Sequence, residues 1–134
     1  MAILKRKQAR IYKDIDLSFE ANSITGDINK KLDVAAVKQS MKNLVMTNTY
    51  ERPFNPDLSS ELRALLFENV EITTANNIKT NLEFLFKNFE PRARIENIEC
   101  NAQPDLNTYD VSILFTVIGI NQPEELTVKL ERLR

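Results

Sequence analysis

Residues 75–117, ANNIKTNLEFLFKNFEPRARIENIECNAQPDLNTYDVSILFTV, change their hydrophobic period once, near Pro91. Before it, Ala75, Ile78, Leu82, Leu85, Phe86 and Phe89 recur at steps of three and four, which lays them on one face of a helix. Thr73 or Thr74 is placed to cap that helix. Pro91 removes a backbone donor and pushes Glu90 out of the α region, so the helix must stop near Phe89. After the proline the apolar residues alternate: Ile98, Cys100 and Ala102 in one run, then Tyr109, Val111, Ile113, Phe115 and Val117 in another. A period of two is the mark of a strand with one face on a core.

Gln103–Thr108 carries Pro-Asp and Asn-Thr turn chemistry, and Gly119–Pro123 makes a second turn before Leu126, Val128 and Leu130 alternate in a third strand. Short connections favour an antiparallel meander. Upstream, Val34, Val37, Met41, Leu44 and Val45 predict a helix near 33–47, with Asp33 as N-cap. Pro53 and Pro56 make Asn48–Asp57 a rigid connector. Asn55-Pro56 then fits an N-cap followed by proline at the first helical position, and Leu58, Leu62, Leu65 and Leu66 extend that second helix to about Asn69. Near the N-terminus Ile15, Leu17 and Phe19 alternate with Asp14, Asp16 and Ser18, which predicts a short strand or an extended segment laid on the core; Ile24–Ile28 reads as a turn. The fold class is therefore α+β: three helices on one face of a small antiparallel sheet, whose C-terminal part is a three-stranded meander, with an extra N-terminal strand available.

A chain of 134 residues is one domain with one core, and 43% hydrophobic with 28% charged residues is an ordinary globular composition. No apolar run approaches a membrane span, and Ala2-Ile3-Leu4 is too short for a signal-peptide core, so neither a membrane partner nor export by that route is expected. Histidine is absent and Cys100 is the single cysteine, which excludes an intrachain disulfide, Cys/His zinc sites and Ser-His-Asp or Cys-His catalysis. Lys5, Arg6, Lys7, Arg10 and Lys13 precede the first acid, leaving 13 bases against 19 acids afterwards: a +5 arm on a −6 body. We divide the chain into a basic arm, 1–13, and a single domain, 14–134. Such an arm can bind phosphate, but five charges without interleaved aromatics suit an acidic protein surface equally well, and a nucleic-acid partner is not favoured.

The catalytic chemistry that composition allows is a carboxylate pair for glycoside hydrolysis, drawn from Glu51, Asp57, Glu61, Glu68 and Glu90. Nothing in their spacing singles out a pair, and carboxylates at helix starts are ordinarily capping or solvated groups. Asp105, Asn107 and Asp110 lack the glycine and closing glutamate of a calcium loop. Gly26 and Gly119 sit in no phosphate-binding fingerprint. We therefore assign no catalytic residue, metal, cofactor or small-molecule substrate. The distinctive local chemistry is Glu90-Pro91-Arg92, where a rigid corner presents an acid and a base. It is either a local ion pair or a guanidinium held out for bidentate docking on a partner carboxylate.

Three segments in order resemble the baseplate wedge proteins of contractile-tailed phages, also called sheath initiators, a family with relatives in type VI secretion baseplates. They are Asp14–Phe19 with Thr25–Ile28, then Glu51-Arg52-Pro53-Phe54-Asn55-Pro56 leading to Leu66-Phe67-Glu68, and Glu90-Pro91-Arg92. The likeness covers nearly the whole chain; it departs at Ser59-Ser60, where many members look glycine-containing, which puts the start of the second helix in question. Members have often been labelled lysozymes, but the resemblance implies an assembly protein and no enzyme. It implies docking of Glu90, Pro91 and Arg92 on the helical core bundle of neighbouring wedge subunits; on the connector, Arg52, Pro53 and Phe54 are candidates for a further contact, and its prolines serve equally as a brace for the helices. It also implies use of the sheet as a template for the first ring of sheath subunits.

A terminal strand carrying Leu126, Val128 and Leu130 is the edge that strand addition would use, although Lys129, Glu131 and Arg132 could equally discourage pairing there. The partners so implied are other baseplate wedge proteins and the tail sheath protein, and the location is the virion tail baseplate, assembled in the host bacterial cytoplasm. The alternatives are a peptidoglycan-degrading tail lysozyme, or the equivalent component of a type VI secretion baseplate.

Overall fold

A computed structural model of the chain describes residues 12–133. The basic arm, as far as residue 11, lies outside the described residues. Helix α1 spans Val34–Met46, α2 Leu62–Leu66 and α3 Ile72–Phe89; strands β1 and β2 are Lys13–Ile15 and Lys30–Leu32, and β3, β4 and β5 are Ala93–Gln103, Thr108–Val117 and Pro123–Glu131. The α+β class and the C-terminal meander are as the periodicity predicts: β3, β4 and β5 are antiparallel neighbours in that order.

The core lies between the helices and one face of this sheet. Tyr109, Val111, Ile113, Phe115 and Val117 are all buried, and they meet Ile78, Leu82, Leu85 and Phe86 of α3 and Val37, Met41, Leu44 and Val45 of α1. Each such side chain contributes about 1.5–3 kcal/mol when fully removed from water, so this layer dominates the stability of the domain. The turn at 103–108 is a 3-10 turn, Pro104–Leu106, closed by Asn107 in the left-handed region at φ 52°. The turn at 119–123 uses Gly119 at φ 92°.

One irregularity restores a phase slip in the sequence. Ile95 and Ile98 are three residues apart, which would put them on opposite faces of a regular strand. The pairing of β3 with β4 shifts register between Ile95 and Asn97, leaving Glu96 as the extra residue. Across this bulge Ile95, Ile98, Cys100 and Ala102 all pack on the core.

Elsewhere tertiary contacts overrule local pattern. The second helix does not begin at Pro56. Asn55 to Ser59 form short turns, the Ser60 N–H and hydroxyl both donate to the Thr47 carbonyl at the end of α1 (3.1 and 3.2 Å), and Glu61 is left-handed at φ 50°. Ser60 is buried and its hydroxyl accepts from the Leu62 N–H at 3.4 Å, so the helix is confined to Leu62–Leu66. Helix α3 starts at Ile72, before either candidate threonine; Thr74 is buried in its first turn and its hydroxyl donates to Glu68 (3.4 Å). Asp33 holds the N-cap position of α1 but makes no side-chain cap bond; its carboxylate accepts from the Tyr12 N–H at 3.2 Å.

The N-terminal strand forms, but not as an addition to the meander. β1 pairs with β2 in a separate two-stranded ribbon, Lys13 opposite Leu32 and Ile15 opposite Lys30. Its alternation is inverted relative to the expected one: Ile15, Leu17 and Phe19 are 58%, 48% and 65% exposed, while Asp14 and Asp16 are turned inward. They face inward because their partners are there. Asp14 meets Arg92, and Asp16 meets Lys31 (3.6 Å) and accepts from the Ser18 N–H (3.0 Å), a backbone bond that holds its carboxyl below the usual carboxylate range.

Candidate docking surface

The corner that ends α3 is built around a buried carboxylate. Helix geometry carries Glu90 under the sheet, where it is 2% exposed, and Pro91 turns the chain so that Arg92 folds back over it. The guanidinium grips Glu90 in a fork, Nε to Oε1 at 2.7 Å and Nη2 to Oε2 at 3.1 Å. Nη1 reaches Asp14 on β1 at 3.1 and 3.4 Å. Tyr12 lies beneath the guanidinium, with the ring centroid 5.6 Å away, and its hydroxyl donates to the Ile118 carbonyl at 3.2 Å. Hydrogen bonds donated to Glu90 raise the Arg92 pKa above its already high ordinary value, with burial opposing and Asp14 adding to the effect. The group is charged at any pH at which the fold survives.

The arrangement is thus a local ion pair and more: it fastens the end of α3, the start of β3 and the N-terminal ribbon at one point. These four bonds involve all three guanidinium nitrogens. Pro91 is exposed and lines an open cleft of about 510 Å³ with Arg94, Ile95 and Glu96, between the last turns of α3 and the bulge in β3. Asp14 and Tyr12 were missed as partners of Arg92; their sequence distance from it, about 80 residues, leaves no local signal.

Arg52, Pro53 and Phe54 are all exposed on the connector, and Phe54 is wholly in solvent. The side chains of Leu126, Val128 and Leu130 face the core: Val128 and Leu130 are buried and Leu126 packs on it. What β5 can offer a partner is therefore backbone. It pairs with β4 on one side and, like β3, has no second strand neighbour among the described residues.

The five candidate carboxylates are not brought together. Glu90 is locked to Arg92, Glu51 accepts from the Asn48 N–H at 2.7 Å, and Glu68 accepts from Thr74. Glu61 lines an open cleft of about 950 Å³ between α2 and α3, beside Arg63, Phe67 and Phe84 and with no second carboxylate on its walls. Glu90, the buried one of the five, has both carboxylate oxygens engaged by Arg92. Among the described residues no group of three or more Asp, Glu, Cys or His side chains is arranged to hold a metal ion. Cys100 is half-buried, and burial pushes its thiol up to about 11.

The model of the family described as "Baseplate wedge protein gp25" matches residues 32–122, from the end of the ribbon through the corner and most of the meander. The chain belongs to that family. It is 28% identical, over 123 residues and 91% of both chains, to baseplate wedge protein gp25 of Enterobacteria phage T4. In fold it is similar to a chain of the anti-feeding prophage baseplate seen by electron cryo-microscopy, at a TM-score of 0.62 and 18% identity, covering 92% of this chain and 87% of that one. It is also similar to a crystal structure labelled a tail lysozyme from Geobacter sulfurreducens, at a TM-score of 0.67 and 17% identity, covering 73% of this chain and 89% of that one. As a member of the wedge family the protein is a structural component of a baseplate, and its partners are other baseplate proteins. Glu90, Pro91, Arg92 and the exposed connector lie within the matched residues, whereas Asp14 and Tyr12 precede them.

Proposed function

We propose that the protein is a wedge subunit of a contractile-tail baseplate that docks on neighbouring wedge subunits and starts the tail sheath. The observation that carries this reading is the family match across residues 32–122, which includes the corner, the connector and most of the sheet. Docking would use the corner Glu90-Pro91-Arg92 and the connector Arg52-Pro53-Phe54. The clamp supports such a role because it holds the corner rigid, so that little order has to be imposed on binding. Sheath initiation would use a backbone edge of the meander: a strand of the first sheath subunit adds to it, and the alternating exposed residues Glu125, Thr127, Lys129 and Glu131 set register by charge. Assembly would take place in the bacterial cytoplasm before the particle is complete. The mechanism is templating and calls for no turnover.

A hydrolytic role, the name carried by the Geobacter structure, gains no support from the dispersed carboxylates. The test is reconstitution with the neighbouring wedge and sheath subunits, comparing wild type with Arg92→Lys, which keeps the charge and loses the fork. We expect a stable complex for wild type and at least a tenfold weaker one for the variant at an unchanged fold, monitored by melting. Equal binding would leave Arg92 as an internal brace. Failure of wild type to bind, together with release of dye from labelled peptidoglycan by the pure chain, would replace the scaffold reading with an enzymatic one.

A further inference from the structure

The N-terminal ribbon carries its apolar residues on the wrong side for folding. Ile15, Leu17 and Phe19 face solvent, and the ribbon is fastened to the body by polar bonds. Arg92 holds Asp14, and the Gln39 side chain on α1 bonds both the Ile15 carbonyl (2.8 Å) and the Leu17 N–H (3.3 Å). The stripe continues across a cleft of about 340 Å³ in which Leu17 meets Asn43, Met46 and Arg52. Met46 is also exposed. Scattered exposed apolar residues need no explanation, but a contiguous row held outward by dedicated hydrogen bonds does.

Bases predominate around the row. Lys13 and Lys30 flank Ile15 on the same face of the ribbon, and Arg52 closes the far side of the cleft; all are exposed and none has an ion-pair partner among the described residues. Of the nearby acids, Asp14 is paired with Arg92 and Asp16 with Lys31, while Glu51, which accepts from the Asn48 N–H, lines the cleft beside Arg52. Glu20, beyond Phe19, marks the end of the basic stretch. A protein whose net charge is −1 thus presents here an apolar row with a basic margin.

We infer that this face, from Lys13 and Ile15 through Leu17 to Met46 and Arg52, is a docking surface for an acidic amphipathic segment of another subunit. Apolar side chains of the segment cover the row, and its carboxylates meet Lys13, Lys30 and Arg52. A phosphate backbone would satisfy the bases but leave Ile15, Leu17 and Met46 in water, which favours a protein partner over nucleic acid. The inference rests on the wedge reading for the assembly in which the segment is found, and it concerns a different face from the corner.

The test places the photo-crosslinking residue p-benzoylphenylalanine at Leu17, with a control at Glu99 on the polar face of the sheet, in the full chain produced with its contractile assembly. Presence of the chain in purified particles is read first, and the cross-linked peptide is then identified by mass spectrometry. We expect position 17 to capture a baseplate segment that is net negative with apolar residues on one face. We also expect the yield to fall roughly tenfold when Lys13→Glu and Lys30→Glu are combined, at an unchanged melting midpoint, with position 99 silent toward that segment. An incorporated chain that gives no cross-link at 17, or one to a neutral or basic segment or to nucleic acid, overturns the inference and leaves the wedge reading standing. A chain absent from the particles overturns the wedge reading and this inference with it.

Discussion

Strand β4 and the ribbon that begins at Lys13 share an alternating pattern and use it in opposite senses. In β4 the apolar set, Tyr109 to Val117, is sealed between sheet and helices; in the ribbon Ile15, Leu17 and Phe19 look outward and the aspartates look inward. The difference lies in what stands opposite each face. β4 is the central strand of the meander and lies under α1 and α3, so its apolar face has apolar partners along its whole length. The ribbon meets Arg92 and Gln39, whose donors need oxygen acceptors. Taking Asp14 away from the partly buried guanidinium would leave its Nη1 donors without their acceptor, which costs more than a few exposed aliphatic side chains, so the polar face goes in.

The strongest way to break this comparison is at β4. Phe115→Ala should cost about 3–5 kcal/mol in chemical denaturation; a loss under about 1 kcal/mol would mean that the sheet face is not the main core. Next comes the clamp. Arg92→Ala strands the buried Glu90 and should cost about 3 kcal/mol, the lower end for breaking a buried pair because the arginine itself keeps some solvent contact. Asp14→Ala should cost no more than about 1 kcal/mol, since that carboxylate is half-exposed. If the two losses were equal, the ribbon and not the helix end would be what Arg92 chiefly holds.

Cys100, inward-facing but half-buried, probes the margin of the sheet. Its thiol is raised from 9.0 to about 11 by burial. The folded chain therefore keeps its proton longer than the unfolded one, and the stability this contributes is present below pH 9 and lost as pH rises toward 11. The alkaline slope of the melting midpoint over that window should flatten in Cys100→Ser, and alkylation of the native thiol at pH 8 should be at least roughly tenfold slower than in denaturant. The smallest effect is expected on the ribbon. Leu17→Ser should change stability by no more than about 0.5 kcal/mol, and a loss above about 1 kcal/mol would show that the outward row is held against the domain after all.

Where the sequence could be read, long periodic runs made it legible. Helices α1 and α3 and the inward face of β4 follow from five or six apolar residues in phase, that of β5 from three, and Pro91 fixes the end of α3 whatever surrounds it. The phase slip between Ile95 and Ile98 was also written in the chain, as spacing that a regular strand cannot satisfy. The second helix was overread because Asn55-Pro56 is a sound local start signal, and a signal worth about 1 kcal/mol yields when Ser60 is drawn to Thr47 and buried. Of the candidate docking residues, Glu90, Pro91 and Arg92 were visible as a motif, but the direction in which the guanidinium points was not.

The amino-acid sequence by itself determined the α+β class, the meander, the helix that covers it and the absence of histidine-based chemistry, since each depends on residue types or on neighbours within a few turns of chain. Only the tertiary structure decided which face of the ribbon is buried, where α2 begins and what Arg92 holds. Those outcomes turn on contacts between groups far apart in the chain: Ser60 with Thr47, Asp14 with Arg92, and Tyr12 with Ile118. A two-residue period says that a strand has two faces, and it is the group lying across from it, a phenylalanine or a guanidinium, that selects between them.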